Sequence, residues 1–490
     1  MPFGSEHSEG LAGVNTFLWH DYETTGADSR RDRPSQFAAI RTTMDLEIIG
    51  EPIDIFCQPA SDGLPHPDAV LITGITPQHM QRDGMIECEF AARIHEEFSQ
   101  PGTCGVGYNS LRFDDEFTRH LLYRNFHDPY QREWKDGNSR WDLIDLGRMC
   151  YALRPEGIEW PLREDGSASF KLEHLARANH LDQQRAHDAL SDVRALIALA
   201  RLIRVRQPRL FDFYFGLRRK QRVFELIDVA RMTPLVHVSS RYPASRGCLA
   251  LIAPLAAHPT LPNAVIVVDL DADPTDLIEL DAEDIADRVF VSKADLPEGV
   301  ERIPLKAIHA NRSPAIAPMG TLKGVDHERL GLDVERCLAN LERLRASDGL
   351  AEKMRSVFGN APPFEPTADP ELSLYGGFLP DGDRRELQAV RTCPPEQLAQ
   401  REWRFSDPRY AELLFRYRAR NWPELLSSDE RTRWDSHRRR RLTASTPLTT
   451  LTLNEYFGLL KERRADPANV TKLELIDQME AWGQQVQATL

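Results

Sequence analysis

A chain of 490 residues, 41% hydrophobic and 28% charged, has room for two to four domains with their own cores and does not have the composition of a globally disordered protein. Its formal net charge is −14, from 61 basic against 75 acidic residues, so any polyanion would have to be held by a local positive stripe. No apolar run approaches the roughly eighteen residues that cross a bilayer. The stretch Met1 to Val14 lacks a basic-then-apolar leader pattern, and the seven cysteines form no C-x-x-C pair. These features predict a cytoplasmic protein with reduced thiols.

The first strong segment is Phe17-Leu18-Trp19-His20-Asp21-Tyr22-Glu23-Thr24-Thr25-Gly26, an apolar run closed by glycine that predicts a buried strand ending in a turn. Gln36 to Thr42 and Glu47 to Cys57 follow as strands, giving a meander of three with turns at Asp32-Arg33-Pro34 and around Asp45. Helical spacing appears in Phe90 to Phe98, and Thr103 to Tyr108 reads as another buried strand. Helices are then expected from Asp114 to Arg124, from Asp142 to Leu153 and from His187 to Arg204. Strands first and helices after predict an α/β domain with a mixed sheet under helices. From about Phe211 to Phe358 the pattern turns to short β runs at Pro234 to Ser239, Cys248 to Ala253, Ala264 to Leu270, Arg288 to Ser292 and Ile303 to His309. A Pro-rich stretch follows at Ala361 to Pro366, and beyond Asp381 the chain reads as helical, with capping boxes at Ser427/Glu430 and Thr452/Glu455. The organisation expected is an extension over 1–14, an α/β domain over 15–207, a β-rich domain over 208–360, a linker over 361–380 and a helical domain over 381–490.

Asp21 and Glu23 are two apart, so on a strand both carboxylates point from one face, where they suit a hard divalent cation. Alone, this spacing is also that of solvated carboxylates at a strand end. Two further segments add to it: Gly107 to Asp115 places a carboxylate at a helix start just after a strand, and Ala186 to Asp192 places a histidine five residues before an aspartate. The order is then Asp21, Glu23, Asp114, His187, Asp192, with Asp115 and Asp188 as neighbouring decoys.

This set resembles the DEDDh exonucleases, which carry four acids and a histidine on a ribonuclease H-like fold, and within them the bacterial exonuclease I family. Supporting segments are Arg140-Trp141-Asp142-Leu143, Tyr151 to Ile158, Arg206 to Asp212 and Leu414 to Asn421, so the resemblance runs nearly the whole length. It implies a β-rich barrel-like second domain, a helical third one, and processive 3′ to 5′ hydrolysis of single-stranded DNA to 5′-mononucleotides in repair and recombination. By the same resemblance Asp21, Glu23 and Asp192 hold one Mg²⁺, Asp114 and Asp21 serve a second, Mn²⁺ can substitute, and His187 is the general base. The acids directly after Phe113 and five residues after His187 fit the family pattern, which selects Asp114 and Asp192 over the decoys.

For DNA, the resemblance points to Glu23, Arg119, Tyr130, Trp134, Arg148 and Lys171, the last standing where the family commonly has arginine. Lysine keeps the charge and loses the two-pronged fork. Basic segments at 201–222 and 416–420 are candidate groove or partner surfaces, and Arg438 to Arg441 is a second basic run that reads either as a ligand site or as a solvated helix face. The family also implies a monomer that meets the acidic C-terminal tail of single-stranded DNA-binding protein, with Arg154 among the contacts. The alternatives are an exoribonuclease or proofreading-type exonuclease with the same residues, and an inactive single-strand-binding scaffold; the length argues against the first and the presence of all five residues against the second.

Overall fold

The computed structural model describes residues 15–181, 188–360, 367, 369–377 and 379–490, and the chain divides into two compact units, each discontinuous in sequence. Among the described residues, the first takes 15–139, 188–194 and those from 367 to 490, and the second takes 140–181 and 195–360. The expected extension over 1–14 and the Pro-rich residues 361–366 lie outside the described residues.

In the first unit β1 (Thr16–Thr24), β2 (Pro34–Thr42) and β3 (Ile48–Cys57) form the expected antiparallel meander. The two-residue β4 (Gly84–Met85) runs parallel to the end of β3, and β5 (Thr103–Gly107) runs parallel to β1, giving the order β4-β3-β2-β1-β5. The chain leaves the unit in β6 (Ser139–Asp142). A central strand must satisfy burial on both faces, and aromatic and branched residues do so in β1: Phe17, Leu18 and Trp19 are all fully buried. Leu18 and Tyr22 share one face of β1 and pack with Phe37, Phe90, Ile94, Phe98 and Leu121 under the helices Glu87–Phe98 and Asp114–Arg124. Pairing of β1 with β5 ends at Trp19↔Val106, while pairing with β2 continues to Thr24↔Pro34. On its β5 side, therefore, the stretch holding Asp21 and Glu23 has no strand partner in β5. Such an opening at a parallel strand's end is where α/β sheets take their ligands.

The C-terminal helices belong to this same unit. Tyr123 and Phe126 form one core with Leu374, Leu387, Val390, Tyr410 and Leu413. Leu64, Val70 and Leu71 form another with Leu442, Tyr456, Ile476 and Met479. Both expected capping boxes are present, Ser427 with Glu430 and Thr452 with Glu455.

The second unit is built on a five-stranded antiparallel sheet. Its strands β7 (Leu235–Val238), β8 (Leu249–Ala257), β9 (Ala264–Asp269), β10 (Leu305–His309) and β11 (Ala315–Pro318) run in the order β10-β9-β8-β7-β11. Trp141 stands edge-on to Phe211 and to Phe215, each at 5.1 Å, which seats the helix Pro208–Gly216. One expected strand is a helix: Arg288 to Ser292 overlaps the end of Ala282–Phe290. There Asp281 caps the amides of Glu283 and Asp284, and Ile285 and Val289 bury one face at helical spacing. The apolar run that resembled a strand is the buried stripe of that helix continued by one more valine, Val291. Among the described residues no helix is long and apolar enough to cross a membrane.

Candidate metal centre and its surroundings

Asp21 and Glu23 project from the same face of β1, close to a bulge between Glu23 and Thr24. Glu23 is 9% exposed. Asp192 stands in the first turn of the helix Ala189–Arg206, and it meets the β1 pair: carboxylate oxygens of Asp21, Glu23 and Asp192 all lie within 4.8 Å of one another. Among the described residues this is the one group of acids, histidines or cysteines with that spacing. Asp114 is the first residue of Asp114–Arg124 and is 3% exposed, and its Oδ1 accepts the main-chain N–H of Tyr22 at 3.2 Å.

The loop that delivers Asp114 is tightly specified. Gly107 lies so close to Ser110 that a Cβ there would fall 2.4 Å from the serine Cβ, and Asn109 adopts a left-handed φ of 64°. Ser110 then accepts the amide of Asp115 at its carbonyl, 2.9 Å away, and the helix begins.

The decoys have other work. Asp115 pairs with Arg132 at 2.6 Å, both essentially without exposure, which neutralises it in the interior. Asp188 accepts the amides of Leu190 and Ser191 and so caps the helix that carries Asp192. His20, inside the first motif, is buried, and burial holds its imidazole down at about 4, so it is a neutral core residue at ordinary pH. His187 lies outside the described residues.

Electrostatics make the cluster hungry for a cation. Burial first, then the charges of Asp192, Asp114 and Asp188, push Glu23 up to about 8. Asp21 is held well above the usual carboxylate range by burial and by Asp114, Glu23 and Asp192, in that order. An all-carboxylate donor set with accumulated negative charge fits a hard divalent ion, and Asp21, Glu23 and Asp192 are the residues placed to hold it.

The residues expected to touch DNA are placed variously. Trp134 is 64% exposed, a free aromatic face. Arg119 is only 7% exposed: Glu133 takes its Nε and Nη2 at 2.8 and 3.0 Å, Glu116 and the Tyr375 hydroxyl take Nη1, and its guanidinium lies 5.4 Å from the Tyr130 ring centroid. In the second unit Arg148 is bound to Asp145 at 2.6 Å, and the Lys171 side chain is 68% exposed with Glu173 3.6 Å away. Also in the second unit, Arg154 donates to the carbonyl of Thr321 at 3.1 Å.

The expectation that 416–420 lines a groove is overturned. Arg416 binds Glu371 and Asp369, Arg418 binds Glu430, and Arg420 binds Asp62 and Glu371, all buried. Arg441, from the second basic run, joins Asp62 at 2.6 Å, and Arg438 donates to Ser61 and Thr489; Arg439 and Arg440 remain exposed. A buried guanidinium needs carboxylates, and Asp62 and Glu371 come to Arg420 from 358 and 49 positions away in the chain. In 201–222, Arg218 is buried against Phe215, while Arg206, Arg209, Lys220 and Arg222 are exposed. Sequence reasoning missed the tie from the Tyr22 amide to Asp114, because a main-chain donor leaves no residue-type signal.

Comparison with known proteins agrees along the length. Residues 18–200 match the family model "Exonuclease", 218–360 the "Exonuclease I SH3-like domain" and 368–486 the "Exonuclease I C-terminal domain". The exodeoxyribonuclease I of Escherichia coli (strain K12) is 49% identical over 429 residues, 88% of this chain and 90% of that protein. The structure of a moderately thermophilic exonuclease I from Methylocaldum szegediense superposes with a TM-score of 0.92 at 50% identity, covering 96% of this chain and all of that one. That of E. coli exonuclease I in complex with a dA16 oligonucleotide gives 0.91 at 46% identity, with 96% and 100% covered.

Proposed function

The chain belongs to the exonuclease I family and is an exodeoxyribonuclease, and on that premise we propose that it removes nucleotides from the 3′ end of single-stranded DNA with divalent metal held at Asp21, Glu23, Asp192 and Asp114. The observation that carries this reading is the convergence of three carboxylates from a strand and a distant helix within 4.8 Å, at the open end of β1.

In this reading Asp21, Glu23 and Asp192 bind one ion, and Asp114 with Asp21 serves a second. Mg²⁺ is the expected occupant, with Mn²⁺ able to replace it. Bound divalent ions supply positive charge against the phosphoryl oxygens and lower the pKa of water. His187 takes the proton of the attacking water, for which an unperturbed imidazole near pH ~6.5 is suited. Water oxygen bonds to phosphorus, the bond to the 3′-oxygen of the penultimate nucleotide breaks as that oxygen takes a proton from solvent, and a 5′-mononucleotide leaves. Trp134 offers a base-stacking face, Arg119 and Tyr130 lie on or beside the same Asp114-headed helix, and Arg148 and Lys171 are further DNA contacts. We place the functional domains at 15–207, 208–360 and 381–490; the family models match 18–200, 218–360 and 368–486, the last starting within the expected linker.

Processive action, a monomeric state, a role in repair and recombination, and docking of the acidic tail of single-stranded DNA-binding protein belong to the same reading; fluorescence polarisation with a labelled tail peptide tests the last. The substrate assignment is tested with 5′-labelled and 3′-labelled oligonucleotides. The 5′ label is expected to give a shortening ladder and the 3′ label an immediate mononucleotide, with duplex DNA and RNA spared. Equal cutting of RNA moves the assignment to an exoribonuclease, and binding without cutting makes the protein a scaffold.

A further inference from the structure

The carboxylates come from two separate elements, Asp114 from a helix start and Asp21 and Glu23 from β1, so their arrangement depends on what ties that helix start to the strand. Something must hold them together before metal arrives. Tyr22, between Asp21 and Glu23, points its ring to the opposite face of β1, where it is 4% exposed and packs against Phe37 with ring centroids 4.8 Å apart. Its main-chain N–H donates to Asp114 Oδ1 at 3.2 Å. Its hydroxyl lies 3.1 Å from Oγ1 of Thr118, and that oxygen is 2.8 Å from the main-chain carbonyl of Asp114. A carbonyl only accepts and Thr118 has a single proton, so Thr118 donates to Asp114 and the Tyr22 phenol donates to Thr118. One residue of β1 thus grips Asp114 twice, at its side chain through the amide and at its carbonyl through the hydroxyl pair. Thr118 is fully buried, so water does not compete for these bonds.

We propose that the Tyr22–Thr118 hydroxyl pair is a positioning clip that holds Asp114 against the Asp21–Glu23 pair, so that the carboxylates are arranged for divalent metal before it binds. The clip rests on the metal-dependent reading given above and adds to it residues that touch neither metal nor DNA. Without the clip the helix start is freer to shift from β1, and the metal must do the work of drawing the carboxylates together. The effect therefore falls on metal affinity, while the fully loaded enzyme turns over nearly as before.

The test is Mn²⁺ binding to the full-length protein, followed by electron paramagnetic resonance of the free ion, together with thermal melts in EDTA. Tyr22→Phe keeps the ring and removes the hydroxyl; Thr118→Val keeps the shape and removes the link; Thr118→Ser keeps the link. Losing a buried hydrogen bond from the assembled state is expected to weaken Mn²⁺ binding roughly three- to tenfold in Tyr22→Phe and Thr118→Val. Thr118→Ser is expected to restore it, and the double variant to be no weaker than either single one. Thr42→Val is the control. It removes the 2.8 Å bond that Trp19 Nε1 donates to Thr42 on the neighbouring strand, and is expected to lower the melting temperature without moving Mn²⁺ affinity. Mn²⁺ affinity within twofold of wild type in both Tyr22→Phe and Thr118→Val overturns the clip and leaves the metal centre standing. A wild-type protein that binds no Mn²⁺ overturns the metal centre itself.

Discussion

In the metal-free protein, raising the pH from about 6 to about 8 should cost stability, and Glu23, with Asp21 beside it, should be one reason. The folded pKa of Glu23 is about 8 against an ordinary 4.5. A group whose pKa is raised on folding gives stability that is full below its unfolded pKa and is lost as pH rises through the folded one. At 1.36 kcal/mol per pH unit, the loss attributable to Glu23 between those pH values is about 2 kcal/mol. For units of this size that is a fall of roughly 4 °C in melting temperature, at about 2 °C per kcal/mol. The assay is calorimetry or dye-monitored melting in EDTA for wild type and Glu23→Gln across this range. The variant should lack this component, so that the difference between the two proteins grows with pH in favour of the variant. Saturating Mg²⁺ should reverse the order, because the carboxylate then has a partner. A difference that stays constant with pH in EDTA would refute the claim that this carboxylate is buried among like charges.

Asp62 is fully buried and holds Arg420 and Arg441 at 2.7 and 2.6 Å. Asp62→Ala leaves Arg441 without its carboxylate and Arg420 with Glu371 alone, and chemical denaturation should show a loss of about 3–5 kcal/mol. Glu87 has its carboxyl held down at about 2: burial opposes this, and Arg124 and Arg33 outweigh it. Its contribution is present above pH 4.5 and lost as pH falls toward 2, so acid titration of Glu87→Gln should show a shallower drop over that interval than wild type. Trp134 packs so little that Trp134→Ala should leave the melting temperature unchanged while weakening single-stranded DNA binding by ~1–3 kcal/mol, measured by anisotropy in EDTA.

Local pattern was enough for much of the site. The meander of β1 to β3 followed from alternating apolar runs, and the helix Asp114–Arg124 occupies the span its sequence predicts, because Asp114, Asp115 and Glu116 mark its first turn. Asp21 and Glu23 were legible as a pair from strand periodicity alone. Their meeting with Asp192 was legible only through the resemblance, since a strand and a helix 170 residues apart share no local signal. Solvation was the harder quantity. Arg416, Arg418 and Arg420 look like a basic stripe, but Asp62 pairs with Arg420 across 358 positions and Glu371 with Arg33 across 338. Such long-range pairing turns an apparent surface charge into an interior one, and it unites the start and end of the chain in one compact unit. The mistaken strand at Arg288 to Ser292 has a similar origin, because the cap at Asp281 that starts the helix lies outside the apolar run.

The most direct measurement is digestion of a 5′-labelled single-stranded oligonucleotide by wild type and by Asp192→Asn, each with Mg²⁺ and with EDTA. A metal-dependent ladder in wild type, lost by at least a hundredfold in a variant that melts no lower in EDTA, is the expected result. Cleavage that persists in Asp192→Asn, or in EDTA, would contradict a metal centre built on Asp21, Glu23 and Asp192.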